Sequence, residues 1–502
     1  MAILNSLISW RLKKRFHQIE LFLKYPHEVQ QECFNSLLLK AKDTEWGKRY
    51  RFNEIVSYEE YKNRVPLQDY NSIKKDIFRT QLGEKNLMWP TDIKWFAKSS
   101  GTTEDKSKFI PVSEDSLFDC HYKGGKDMLS IFCNWFPDTE VFTGKTIMMG
   151  GSSQINPHSK GGSWTGDLSA ILISNLPFWV TRQQAPSKDI ILMGDWEEKI
   201  EKMADKVVGE NITSISGVPS WTQVLFDKVL SKTNSKSLHD VWPNLELYMH
   251  GGVDLSPFKK RFSAIAPQLK YLETYNASEG FFGIQYEKNV SDFLLMLDYG
   301  VFYEFISKGE WDKDIPNVIS LDDVVLNEQY AIVINTNAGL WRYQLGDVVE
   351  FTSINPYRIK LAGRTKHHIN AFGEELMIGN ALEAINTACA KTSAVLNEWT
   401  AAPFFFKQEG CGAHEWVIEF EKEPKDIAYF INVLDNTLKG LNSDYEAKRF
   451  KDMVLGMPIV RVVAKDTFYK WFKSKDKLGG QNKVPKLNND RKYIEDVLKF
   501  SE

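Results

Sequence analysis

From about residue 90 the chain alternates between two textures. Short apolar runs such as IKWFAKSS (93–100), GKTIMMGG (144–151) and KDIILMG (188–194) are bounded by Gly-, Ser- and Pro-rich turns. Longer stretches with helical spacing lie between them, among them DWEEKIEKMADKVV at 195–208 and VPSWTQVLFDKVLSKT at 218–233. Strand-length runs interleaved with helices predict an α/β domain built on buried sheets. Residues 1–65 differ. Leu7, Ile8, Leu12, Phe16, Ile19, Leu23 and, after a break at Pro26, Cys33, Leu37 and Leu38 recur at helical intervals.

Two further textures follow. Residues 290–360, including FLLMLDYGVFYEFI and YAIVINTNAGLWRYQLGDVVEF, read as a meandering β subdomain. After Gly363 the order becomes helix, hairpin, interrupted helix and strand, which predicts a small α+β domain. The expected division is residues 1–365 as a large α/β domain of several subdomains with β sheets and flanking helices, and 366–502 as the small domain. With 43% hydrophobic residues, 502 positions suffice for one large core and a smaller one.

Charge and cysteine content remove several function classes. Sixty-three basic and sixty-six acidic residues leave a formal charge of -3, without the basic excess of a nucleic-acid binder. The five cysteines are scattered and form no CxxC pair, and no HExxH occurs, so neither a disulfide scaffold nor a zinc site is expected. A reducing, cytoplasmic setting fits this usage. The opening MAILNSLISWRLKKRF lacks the apolar core and cleavage site of a signal peptide, and no apolar run is long enough to span a bilayer.

Three short clusters carry the chemistry. Ser99-Ser100-Gly101-Thr102-Thr103, followed by Lys108, comes directly after a strand candidate. Hydroxyls on a glycine-relaxed backbone can wrap a phosphate, and a lysine adds charge. The same residues also suit a polar surface turn. Tyr275-Asn276-Ala277-Ser278-Glu279-Gly280 places a carboxylate between apolar segments, where it needs a partner or a metal. Mg²⁺ asks for one or two carboxylates plus substrate phosphates, so Glu279 suffices; a helix-capping Ser278 beside a solvated Glu279 would look similar. Third, Asp347 follows a glycine in Trp341-Arg342-Tyr343-Gln344-Leu345-Gly346-Asp347, placed to accept two ribose hydroxyls or to sit in a plain β-turn.

The order of these clusters, with Gly251-Gly252 between the first two and Gly363-Arg364-Thr365-Lys366 after the third, resembles the GH3 auxin-responsive family of acyl-acid amido synthetases. That family lies within the adenylate-forming superfamily of acyl-CoA synthetases and luciferases, and the resemblance covers nearly the full length. It implies an adenylate-forming N-terminal domain, a mobile C-terminal domain, and ATP and Mg²⁺ as cofactors. By resemblance Ser99, Ser100, Gly101, Thr102, Thr103 and Lys108 grip the β- and γ-phosphates. Tyr275 packs on adenine, Gly251, Gly252 and Val253 line its other face, Ser278 reaches the α-phosphate, and Glu279 holds Mg²⁺. Asp347 takes the ribose, Arg364 joins the nucleotide-binding set at the start of the interdomain hinge, and Lys483 in GQNKVPK is the mobile domain's catalytic lysine alongside Lys108.

The chain departs from the family pattern twice. Asp105 replaces a glycine of the phosphate loop, so either it points away from a triphosphate or the loop is less permissive than usual. Gln344 stands where the YRxGD arginine is expected, so a cationic role there is lost or falls to Arg342 or Arg364. The acyl pocket is expected between segments 120–180 and 215–225, with Phe178, Trp179, Val218 and Trp221 available to line it. The implied reaction joins a small carboxylic acid to an amine or amino acid. Transfer to a thiol such as coenzyme A, or a decayed nucleotide-binding protein, are the alternatives. Neither nucleic acid nor integral membrane association is expected.

Overall fold

The computed structural model describes residues 12, 14–100, 107–151, 153–155, 162–252, 255–311, 313, 315–364, 368–406, 411–452, 454–474 and 484–501. At its centre is a sheet that is twelve-stranded among the described residues. One half is parallel, in the spatial order Gln184–Ala185, Lys145–Met148, Ile212–Ser216, Leu247–Gly251 and Lys270–Ala277. Antiparallel strands continue from there: Gly280–Ile284, Phe293–Leu295, Tyr357–Arg364, Tyr343–Ile354, Gln329–Thr336, Val301–Ser307 and Val318–Ser320.

Parallel neighbours need a long crossover, because a tight turn cannot return the chain to the same end. Helices Trp196–Val207, Pro219–Thr233 and Ser256–Ile265 supply it. They bury Ile200, Met203, Leu225, Phe226, Phe258 and Phe262 in one core with Ile147, Ile215 and Tyr248 of the strands. The first of these helices begins at Asp195, whose carboxylate accepts from Glu198 N at 2.8 Å, a side-chain N-cap.

The N-terminal helices cover the antiparallel half. Helix Pro26–Ala41 starts with its proline at the first turn, where the missing N–H costs nothing, so Pro26 opens a helix as well as ending the one before it. Ile19, Phe22, Phe34 and Leu37 are buried in the main core; Leu7 and Ile8 lie outside the described residues. Arg15 fastens this layer through Asp127 (2.9 Å) and Asp298 (2.8 Å).

Residues 290–360 form the expected β meander, six strands that are neighbours in the sheet among the described residues. Phe293–Leu295 pairs with Gly280–Ile284 on one side and Tyr357–Arg364 on the other, so the meander extends the central sheet instead of leaving two open edges. A smaller sheet runs in the order Ser107–Val112, Trp95–Ser100, Trp164–Gly166 and Ser153–Ile155.

The C-terminal domain has the expected element order. Helix Ile378–Thr392, strands Val395–Phe405 and Gly412–Lys422, helices Ile427–Leu441 and Ser443–Lys448, and strand Ile459–Val463 follow one another. They enclose Ile369, Phe372, Trp399, Trp416, Phe430 and Leu434. The interruption in the helical stretch is Asn442, whose side chain accepts from Asp444 N and Tyr445 N and so starts the next helix. No helix among the described residues is long and apolar enough to cross a membrane, and all five cysteines are free.

Candidate active site

Lys270–Ala277 is the strand at which the sheet changes from parallel to antiparallel. Near its end Tyr275 donates its hydroxyl to Asp347 Oδ2 at 2.7 Å, and both residues are buried. Their strands lie four steps apart in the sheet order. In a flat sheet with about 4.8 Å between strands, four steps would separate them by roughly 19 Å. The antiparallel half must therefore curl over the parallel one, and the curl brings the second and third sequence clusters into contact. Gly346, at φ 88°, a conformation that favours glycine, sits at a bulge within strand Tyr343–Ile354 immediately before Asp347. Asp347 pairs across the ladder with Arg364, so the Gly363-Arg364 motif enters beside the buried acid.

Gly251 closes the neighbouring parallel strand and lies opposite Thr274, one residue before Tyr275. A Cβ at Gly251 would stand 2.5 Å from the Thr274 carbonyl oxygen, so only glycine lets the two backbones approach this closely. Gly252 follows at φ 78°. Ser278 and Glu279 form the turn of the hairpin between Lys270–Ala277 and Gly280–Ile284, both half-buried. No helix starts there, which sets aside the helix-cap alternative for Ser278. Among the described residues there is no cluster of three metal-ligating side chains.

Ser99 and Lys108 face each other across the hairpin of Trp95–Ser100 and Ser107–Val112. Ser99 and Ser100, the described members of the Ser/Thr/Gly cluster, close the first strand of this hairpin. Gly101, Thr102, Thr103 and Asp105 lie outside the described residues, as do Val253, Lys366 and Lys483; the side chains of Ser100, Trp179 and Arg364 are likewise not described. The hairpin is connected to the Glu279 turn through two helices. Strand Trp95–Ser100 packs on helix Leu168–Ser174, whose Leu172 carbonyl accepts from the Tyr122 hydroxyl at 2.8 Å. Helix Tyr122–Trp135 then presents Gly124 to the ring of Phe281, two residues beyond Glu279.

Two expectations fail. Arg342 cannot replace the missing motif arginine, because it is a buried anchor. Its guanidinium binds Glu304 at 3.0 Å and the carbonyls of Lys62 and Val65 at 2.8 Å each, while Gln344 is exposed. Phe178 does not line a pocket: it is 72% exposed with Arg182 over its ring, because Phe178–Thr181 is a single helical turn on the surface. Val218 and Trp221 pack against the helical core of the parallel half.

Sequence reading missed three residues around the cleft. Asn370 donates its side-chain amide to the Gly252 carbonyl at 3.4 Å and lays the segment after strand Tyr357–Arg364 on the glycine pair. Lys199 donates to the carbonyl of Gly150 from a buried position, and burial pulls its ammonium down to about 8 against the opposing influence of Asp167. Lys448 of the C-terminal domain stands 4.0 Å from the ring centre of Trp221. In sequence each looks like an ordinary surface polar residue.

Comparison with known proteins places this geometry. AtGH3.15 acyl acid amido synthetase in complex with 2,4-DB shares the fold at TM-score 0.59 and 16% identity, over 95% of this chain and 94% of its own. A 2-hydroxyisobutyryl-CoA ligase in complex with 2-HIB-AMP and CoA does so at TM-score 0.52 and 13% identity, over 96% and 92%. The fold is that of the adenylate-forming enzymes. Residues 15–271, 294–364 and 379–492 match the GH3 family N-terminal, central and C-terminal domains, and the chain belongs to the GH3 family. A jasmonoyl–L-amino acid synthetase, JAR4 of Nicotiana attenuata, is 24% identical over 404 residues, 66% of this chain and 68% of the relative.

Proposed function

We propose that the chain uses ATP to activate a carboxylic acid as its acyl-adenylate and then transfers the acyl group to an amine, in the first instance an amino acid. The observation that carries this reading is the Tyr275–Asp347 hydrogen bond, which joins two nucleotide motifs across a curled sheet. Membership of the GH3 family, whose relatives are named as amido synthetases, favours the amine over a thiol.

On this reading Ser99, Ser100, Gly101, Thr102, Thr103 and Lys108 hold the phosphates. Gly251, Gly252 and Val253 leave room for the adenine, and Tyr275 presents its ring from the adjacent strand while its hydroxyl orients Asp347. Asp347 has the position to accept ribose hydroxyls, with Arg364 opposite it. Ser278 faces the α-phosphate and Glu279 is the carboxylate for Mg²⁺. A single half-buried carboxylate suits Mg²⁺, which takes its other ligands from phosphates and water, and the ion would neutralise charge on the phosphoryl oxygens. The domain boundary is placed at 365, and the segment after it carries Lys483 toward the cleft for adenylation and away for transfer. Excluding water in the second step protects the mixed anhydride from hydrolysis. Free cysteines throughout fit a cytoplasmic compartment.

Acid-dependent ATP–pyrophosphate exchange across a panel of alkyl and aryl acids tests the first step. Product analysis with amino acids in one arm and coenzyme A in the other tests the second. Exchange with an amide product supports the reading, a thioester product overturns the amine, and absence of exchange with every acid overturns adenylation.

A further inference from the structure

Lys448 closes helix Ser443–Lys448 on the side of the C-terminal domain that meets the N-terminal domain. The helix is firmly mounted. Asn442 caps it, and its neighbours Tyr445 and Arg449 are both tied to Asp435, at 2.8 and 2.6 Å. Lys448 is only 4% exposed, and among the described residues no hydrogen bond or ion pair fixes its ammonium, whose Nζ is not one of the fully buried atoms that lack a partner and so stays open to the cleft. It lies over the ring of Trp221 at 4.0 Å. Asp444, Glu374 and Asp167 act on it from farther away, and burial lowers its pKa against them.

Two of these acids have other commitments. Glu374 is bonded to His414 Nε2 and to Phe372 N, each at 2.7 Å. Asp167 also faces Lys199. Asp444 sits on the first turn of the same helix as Lys448. An ammonium has three donors, and burying them without acceptors is costly unless a ligand supplies the acceptors. The place is suited to one, since helix Ser443–Lys448 packs against strand Trp95–Ser100, which runs into the phosphate-binding cluster.

An amino-acid acceptor brings two charges to such a cleft. Its ammonium must lose a proton before it can attack the acyl carbon. Its carboxylate stays ionised throughout and needs a cation wherever water has been excluded. Resting on the amide-forming reading above, we propose that Lys448 receives the carboxylate of the acceptor, with Trp221 as the apolar floor beneath it. Lys448 is then a residue of acceptor binding, with no part in proton transfer.

The test compares one amine with and without the charge. The best acceptor from an amino-acid panel and its α-amide are assayed for conjugate formation with the wild-type chain, Lys448→Met, Lys448→Gln and Lys448→Arg. For the free amino acid, KM rises about 10- to 100-fold in the Met and Gln variants, the loss expected of one charge-assisted contact. For the α-amide it stays within about twofold, and Arg restores most of the affinity for the free acid. Equal changes for both acceptors, or none in either, would overturn the proposal, because a merely structural lysine cannot discriminate between them. Acid-dependent pyrophosphate exchange by the wild-type chain needs no acceptor and keeps the two questions apart. Exchange with an unshifted KM removes this proposal alone; no exchange removes the amide-forming reading and the proposal together.

Discussion

Arg342 and Lys448 are both buried cations that join distant segments, yet they are built in opposite ways. Arg342 spends its donors inside the protein, on Glu304 and on the carbonyls of Lys62 and Val65, and so pins an N-terminal helix and the turn after it to the antiparallel strands. Lys448 has an aromatic face under it and acids at a distance, with no acceptor in bonding range among the described residues. A guanidinium bonded through Nε and Nη1 to buried acceptors is a structural joint, whereas an ammonium left open at a domain seam suits a ligand. How far burial and bonding part company decides which charges hold the fold and which hold substrate.

The largest effect expected is at the closed joint. Arg342→Met strands Glu304 in the core with no cation and leaves two carbonyls without donors, and removing one partner of a buried pair costs about 3–5 kcal/mol. Chemical denaturation followed by tryptophan fluorescence measures it. A loss below about 1 kcal/mol would mean that Arg342 is no joint at all, and the contrast with Lys448 would fail. Adding Glu304→Gln to the variant should recover part of the loss by removing the stranded charge.

Asp347 sharpens the contrast because it is as buried as a structural acid but is read as a ligand group. Asp347→Asn keeps an oxygen for Tyr275 while removing the charge. ATP affinity measured by calorimetry should weaken about 10- to 100-fold, the equivalent of about 1.5–3 kcal/mol, with a smaller change in folding stability. A variant that loses stability and keeps its ATP affinity would move Asp347 to the structural side with Arg342.

How much of this was legible in the sequence depended on the range over which each feature is encoded. The proline at the start of Pro26–Ala41 and the order of elements after Gly363 are local, and local spacing shows them. The clusters around Tyr275 and Asp347 are short enough to be seen one by one, but their contact requires a curl that belongs to the whole sheet. Arg342 reads as a spare motif arginine because a sequence does not show that Glu304 stands ready beneath it. Phe178 looked like pocket lining because aromatic character is visible and a one-turn surface helix is not. Lys448 sits in LNSDYEAKRF, which reads as a solvated helix face, and only the packing of two domains buries it.

Lys199 stands between the two extremes, since its ammonium is buried against a backbone carbonyl and shares Asp167 with Lys448. Its folded pKa of about 8 is depressed from 10.5, so the penalty for burying the charge is fully present below pH 8 and is relieved as pH rises toward 10.5. In that window the unfolded chain binds more protons, and Lys199 makes stability rise with pH by up to about 1.4 kcal/mol per unit. Denaturation of the wild-type chain and Lys199→Met from pH 7.5 to 10 should show the wild type gaining on the variant as pH increases. Parallel curves would show that Lys199 is not held as a buried charge.

The smallest effect expected is at Tyr275. Tyr275→Phe keeps the ring and removes one neutral hydroxyl from the Asp347 carboxylate, a contact to a charged group worth about 1.5 kcal/mol or a little more in place. If that bond only closed the curl of the sheet, the loss would appear in stability and ATP would bind as before. If it also orients the carboxylate for the ribose, ATP affinity should fall several-fold, while affinity for inorganic triphosphate, which has no ribose, should not move. Paired titrations with the two ligands therefore show on which side of the contrast this bond lies. Combined with Asp347→Asn, the hydroxyl should lose much of its remaining effect, because both changes act through one carboxylate and cannot add.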